Sequence, residues 1–162
     1  MAEVVTAKSA KVMPIKPATA QKQSEKKWGT EVMKHGYCII PSILLQAQAR
    51  LLISAQQMIV LLQLVEHWWH EDSKVFPAKA LLASRIGLST KQIQRHIAVL
   101  EQKKLVKRIE RTIPGRGKVS NEYDLSGLVK KLKEIAPEFD EAKKLKAAAA
   151  KPGGIKAAKA VS

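Results

Sequence analysis

The 162-residue chain predicts a mainly α-helical fold class with one small β-hairpin, and three observations carry that expectation. Apolar residues recur at helical spacing between about Tyr37 and Leu132. Gly87 and Ser89 separate two short amphipathic runs. Beyond them, a β-branched alternating segment turns at Pro114-Gly115-Arg116-Gly117 and runs on from Val119 to Leu125.

Taken in order, residues 1–26 mix Ala, Lys, Pro14, Pro17 and Gln without periodicity. So few large apolar groups cannot offset the entropy of ordering, and the segment reads as a disordered basic N-terminal arm. Gly36 to Pro41, "GYCIIP", suits a brief extended segment between a glycine and a proline. From Ser42, the positions Ile43, Leu44, Ala47 and Leu51 follow one buried helix face. Ser54 with Gln57 three residues on has the capping-box spacing and starts a core helix through Met58, Leu61, Leu62, Val65, Trp68 and Trp69. Pro77 then suits a first helical position, and a short helix through Leu81, Leu82 and Ile86 ends at Gly87.

Ser89 caps the next helix, which buries Ile93, Ile97 and Leu100 at i, i+4 and i+7. Two short helices joined by a tight glycine-containing turn are the helix-turn-helix unit, and the hairpin after them makes a wing. At about 100° per residue the opposite face of the second helix centres on Lys91, Arg95 and Gln102, with Gln92, Gln94, Ala98 and Val99 beside it. Ser126 is placed to cap a last helix through Leu128, Leu132 and Ile135, interrupted at Pro137. A winged helix-turn-helix domain is therefore expected over 27–136, followed by a low-complexity Lys/Ala-rich tail over 137–162.

The net charge of +15 is unevenly spread. Residues 91–118 hold nine basic residues against Glu101 and Glu110, while the rest of 30–125 is close to neutral. Positive charge gathered on one element attracts a polyanion. The B-DNA major groove admits one α-helix and displays guanine acceptors and both adenine functions. Arg95 suits guanine, Gln92 or Gln94 suits adenine, and Ala98 or Val99 suits a thymine methyl. The candidate DNA-binding residues are Ser89, Thr90, Lys91, Gln92, Gln94 and Arg95 on the helix, with Lys107, Arg108, Arg111, Arg116 and Lys118 on the wing. The plain alternative is that these polar groups only solvate a packed helix.

Other chemistry finds less support. "HWWHED" puts His67 and His70 at i, i+3 with Glu71 and Asp72 adjacent, but further ligands are lacking, and histidines also suit the last turn of a helix. "PGRGK" lacks the spacing of a phosphate-cradling loop and precedes no helix. The 14 acids form no Ser/His/Asp or paired-carboxylate constellation that stands out; no enzyme activity, cofactor or metal is expected. Cys38 is the single cysteine, no apolar run reaches membrane-spanning length, and the N-terminus makes a poor secretory signal, so the expected location is cytoplasmic.

The series "KWGTEVMKHGYCIIPSILL", "LSTKQIQRHIAVLEQKKLVKRI" and "SNEYDLSGLVKKL" resembles the helix-turn-helix domain of many bacterial, phage and plasmid proteins, among them replication initiators and small regulators. The most specific pieces are Arg95 within "TKQIQRHI" and the run Asn121-x-Tyr123-Asp124-Leu125. The resemblance implies a winged-helix DNA-binding fold. Many such domains have a glycine before the wing, where this chain has Lys103 and Lys104. The function expected is sequence-specific double-stranded DNA binding in transcription regulation or in replication initiation of a plasmid or phage element. The alternative is a protein interaction module that uses the winged helix. Double-stranded DNA is the expected partner, with a homodimer and the replication or transcription machinery as further candidates and no membrane.

Overall fold

A computed structural model describes residues 17–70 and 73–150. The chain divides between Cys38 and Ile39 into two units. In the first, α1 (Pro17–Trp28) and α2 (Thr30–Met33) are joined at Gly29, whose φ of 81° makes the turn. Helix α1 stands in the second half of the segment read as a disordered arm; residues 1–16 lie outside the described residues. Trp28, Val32 and Tyr37 are all exposed, so this unit has little apolar burial of its own.

The second unit is mainly α with a small β-hairpin, in winged helix-turn-helix order. Its elements are α3 (Ser42–Gln46), α4 (Ala55–Glu66), α5 (Lys79–Ile86), α6 (Thr90–Gln102), β1 (Lys107–Ile109), β2 (Thr112–Ile113), β3 (Gly117–Lys118), β4 (Glu122–Asp124) and α7 (Ser126–Ala149). Helix α4 is central: Val60, Leu61 and Leu64 are fully buried, and it packs against both α5 and α6. Its start is the predicted capping box, with Gln57 N–H donating to Ser54 Oγ at 3.2 Å and Ser54 N–H donating to Gln57 Oε1 at 2.9 Å. Helix α6 buries Ile93, Ile97 and Leu100 as its spacing predicts. Leu105, Val106, Tyr123, Leu125, Leu128 and Ile135 extend the same core under the hairpin and α7.

The helix expected from Ser42 through Leu51 is shorter. After α3 the chain turns, burying Ala47 and Leu51 as expected, and closes with Leu52 in the left-handed region (φ 54°). There, Leu52 N–H donates to Ala49 O and Ile53 N–H to Gln48 O, the paired bonds of a Schellman motif. Helix α4 ends at Glu66, so Trp68 and Trp69 are not on it. Trp68 packs partly against the core, whereas Trp69 is 65% exposed and fills no part of it. Pro77 is buried two positions before the first residue of α5, whose N-cap is Ala78.

Helix α7 runs through Pro137 to Ala149, where an interruption was expected. Proline removes one backbone donor, but Pro137 faces solvent while Leu132, Ile135 and Phe139 continue the buried stripe begun at Leu128. Just past it, Arg50 and Glu138 form a two-pronged ion pair that ties α7 to the turn after α3. The side chain that satisfies the start of α7 is not Ser126: Asp124 Oδ1 accepts the Ser126 N–H at 2.8 Å. Residues 151–162 of the expected tail lie outside the described residues. Among the described residues, no helix is long and apolar enough to cross a membrane.

Candidate nucleic-acid interface

Local chemistry fixes the turn between α5 and α6. Gly87 takes φ 75° at the C-cap of α5, a conformation glycine adopts without steric cost, and Leu88 N–H donates to Ala83 O at 3.1 Å. Ser89 then caps α6: its Oγ accepts the Gln92 N–H at 3.2 Å, and Gln92 Oε1 accepts from both Ser89 N–H and Ser89 Oγ at 2.9 Å. Arg85 bonds Glu66 at 2.9 Å and Gln63 at 3.3 Å, tying α5 to α4. The orientation of α6 is thus set at its start and along its buried face.

The outer face of α6 presents Lys91, Gln94 and Arg95, all exposed and, among the described residues, without an ion-pair partner. Thr90 opens the helix beside them. Ser89 and Gln92 are engaged with each other in the capping box, which occupies the Gln92 side-chain carbonyl oxygen.

Helix α6 ends in a second Schellman motif, with Lys104 in the left-handed region (φ 57°). Lys104 N–H donates to Glu101 O at 2.8 Å and Leu105 N–H to Leu100 O at 3.0 Å. The chain enters β1 from there. Lys107, Arg108 and Ile109 pair antiparallel with Asp124, Tyr123 and Glu122, and further out Thr112 and Ile113 pair with Lys118 and Gly117. Tyr123 N–H also donates to Val75 O at 2.6 Å, so the chain before α5 lies against the base of the wing. Burial pushes the Tyr123 hydroxyl pKa up.

Between the N-terminal end of α5, Gln94 of α6 and the hairpin lies a groove of about 560 Å³. Lys79, Arg108, Arg111 and Lys118 line it together with Glu110, Ser120 and Asn121. The three wing cations of the groove each have a partner. Arg108 Nη2 lies 3.2 Å from Glu101, which also accepts the Arg108 backbone N–H at 3.1 Å. The Arg111 guanidinium lies over the Phe76 ring, 4.7 Å from its centre, and Lys118 pairs with Glu110 at 3.3 Å. That last pair is exposed on both sides and of small energetic worth, so a phosphate can displace it.

Of the eleven residues selected from sequence, Gln94, Arg108, Arg111 and Lys118 meet in this groove, and Lys91 and Arg95 lie on the α6 face. Arg116 stands exposed at the hairpin tip. Lys107 points elsewhere, lining a smaller cleft with Asp124, Ser126 and Gly127. The odd-even alternation of a strand sends it to the opposite side from Arg108. Lys79, Ser120 and Asn121 were missed; Asn121 and Ser120 sat in the "SNEYDL" run, and only their tertiary position reveals them as groove residues. As for the metal reading, His67 Nδ1 is 2.8 Å from the Gln63 carbonyl oxygen and 3.0 Å from Glu66, while Glu71 and Asp72 lie outside the described residues.

Residues 40–144 match the family model described as the DnaD N-terminal domain. No curated protein matches the chain. Among solved structures, the chain is similar to one titled a possible transcriptional regulator from Methanosarcina mazei Go1, at 15% identity and a TM-score of 0.41, covering 61% of this chain and 82% of that one.

Proposed function

The chain belongs to the DnaD N-terminal domain family, a replication-related family, and from that premise we propose that it binds double-stranded DNA sequence-specifically, with α6 in the major groove and the wing on the backbone. The action would be in transcription regulation or in replication initiation of a plasmid or phage element, without catalysis. The observation that carries this reading is the continuity of the cationic surface. The exposed Lys91, Gln94 and Arg95 of α6 adjoin a groove holding Lys79, Arg108, Arg111 and Lys118. A rigid helix aims donors at base edges, and arginines fixed by stacking or by a carboxylate lose little entropy on meeting phosphate.

The test is a salt titration of duplex binding. The logarithm of the association constant should fall linearly with log salt, by about 0.9 for each phosphate neutralised. Binding that ignores salt would remove the DNA reading. A second reading, contact of the winged helix with a protein, draws on the exposed apolar groups Phe76, Ile109 and Ile113 around the wing.

A further inference from the structure

A cleft separate from the DNA-facing surface lies between Trp68 and α7, about 590 Å³ in volume and lined by Trp68, Ser126, Val129, Lys130, Lys133 and Glu134. It shares no lining residue with the groove between α6 and the wing. The Trp68 indole and Val129 are the apolar side chains of its lining. Among the described residues its lining holds two lysines against one carboxylate. Glu134 is 3.2 Å from Lys131, which lies outside the lining, while Lys130 and Lys133 form no ion pair among the described residues.

Such a site favours an occupant that is apolar at its centre and negative at its edges. With a lining drawn from one helix and one indole, the cleft is open and seats a side chain rather than enclosing a whole small molecule. Tryptophan surrounded by the aliphatic stems of lysines is the kind of surface on which anchor residues of a partner dock, and rim lysines select acidic flanks. We propose that this cleft is a docking site for a segment of a partner protein in which an aromatic residue is flanked by aspartates or glutamates. The site acts independently of DNA, since neither Lys130 nor Lys133 belongs to the α6 and wing surface.

The test uses the full chain, labelled with ¹⁵N, and an acetylated, amidated Glu-Asp-Phe-Asp-Glu peptide as probe. The Trp68 indole N–H and the Val129 and Lys133 amides should shift saturably. Replacing the probe's Phe with Ala should weaken binding about tenfold, the factor expected for losing a buried aromatic contact at a partly open site. The double variant Lys130→Gln/Lys133→Gln, at two exposed positions that leave folding intact, should weaken it about fivefold. Shifts confined to α6 and the wing would mean that the peptide merely imitates a polyanion and would overturn the proposal. So would an unshifted Trp68 indole, or a double variant that binds as tightly as the wild type.

Discussion

Gly127→Ala should destabilise the second unit even though alanine is the better helix former. Gly127 is the second residue of α7, and a Cβ built there would collide with the Lys104 carbonyl oxygen, while the carbonyl carbon of Lys104 would be 3.2 Å away. A methyl group needs roughly 3.3 Å from an oxygen, so about 1 Å of movement is required between two stretches of backbone. Neither gives easily: Lys104 is the left-handed residue of a bonded Schellman motif, and the start of α7 is held by Asp124 and by buried Leu125 and Leu128. Overpacking costs about 1–3 kcal/mol and more where two stretches of backbone must part, which outweighs the ~1 kcal/mol that alanine gains over glycine in a helix. The melting temperature should fall by roughly 10 °C, measured by circular dichroism on wild type and variant at the same pH and salt. The sign decides the matter. An unchanged or raised melting temperature would mean that the end of α6 and the start of α7 do not approach in this way.

Lys104→Gly should act in the opposite direction, raising stability by about 0.5–1 kcal/mol because it relieves a left-handed side-chain clash at an exposed position; urea unfolding that shows a loss instead would contradict the φ of 57°. Asp124 is held below its usual pKa chiefly by the Ser126 backbone N–H and then by the Ser126 hydroxyl, so its stabilising effect is present above the unfolded pKa of about 4 and is lost as pH falls through the folded value. Asp124→Ala should therefore cost about 0.5–2 kcal/mol at neutral pH, a gap that closes on acidification; melts that keep the gap constant down to pH ~2 would exclude the ionised cap. The two adjacent tryptophans should separate. Trp69→Ala should leave stability within about 0.5 kcal/mol, while Trp68→Ala should cost about 1–3 kcal/mol, and equal effects in denaturant titrations would refute the difference in their packing.

What was legible in the sequence was local. The Ser54-Gln57 spacing, the glycine at position 87 and the i, i+4, i+7 stripe of Ile93, Ile97 and Leu100 each specify their conformation through neighbouring residues, and each stands in the structure as expected. The same reading missed features that depend on packing from a distance. Pro137 reads as a helix breaker until Leu132, Ile135 and Phe139 are seen to share one buried stripe, which offsets one lost hydrogen bond. Trp69 looks like a core residue on an extended helix pattern, yet α4 stops at Glu66 and leaves it in solvent. Within the candidate interface, the helix face followed from periodicity, but the groove did not. Strand alternation removes Lys107 from it, and Lys79 joins from the start of a different helix, in the chain that follows the bridge of Val75 to Tyr123. Lys104 shows the same limit from another side: nothing in the sequence marks it for the left-handed region, yet the backbone places it there.

The central claim, that α6 reads bases while the wing holds backbone, is tested most directly by measuring Arg95→Ala and Arg116→Ala against a panel of duplexes carrying single base-pair substitutions in a site obtained by binding selection. Arg95 lies on the exposed face of α6 opposite Ile93, Ile97 and Leu100, and Arg116 at the hairpin tip. Arg95→Ala should lose about 1–3 kcal/mol of affinity and relax discrimination at one or two base pairs, whereas Arg116→Ala should weaken all duplexes alike and make the salt slope shallower by about one contact. Unchanged base preference in Arg95→Ala, with preference abolished in Arg116→Ala, would make the wing the reader and contradict the account.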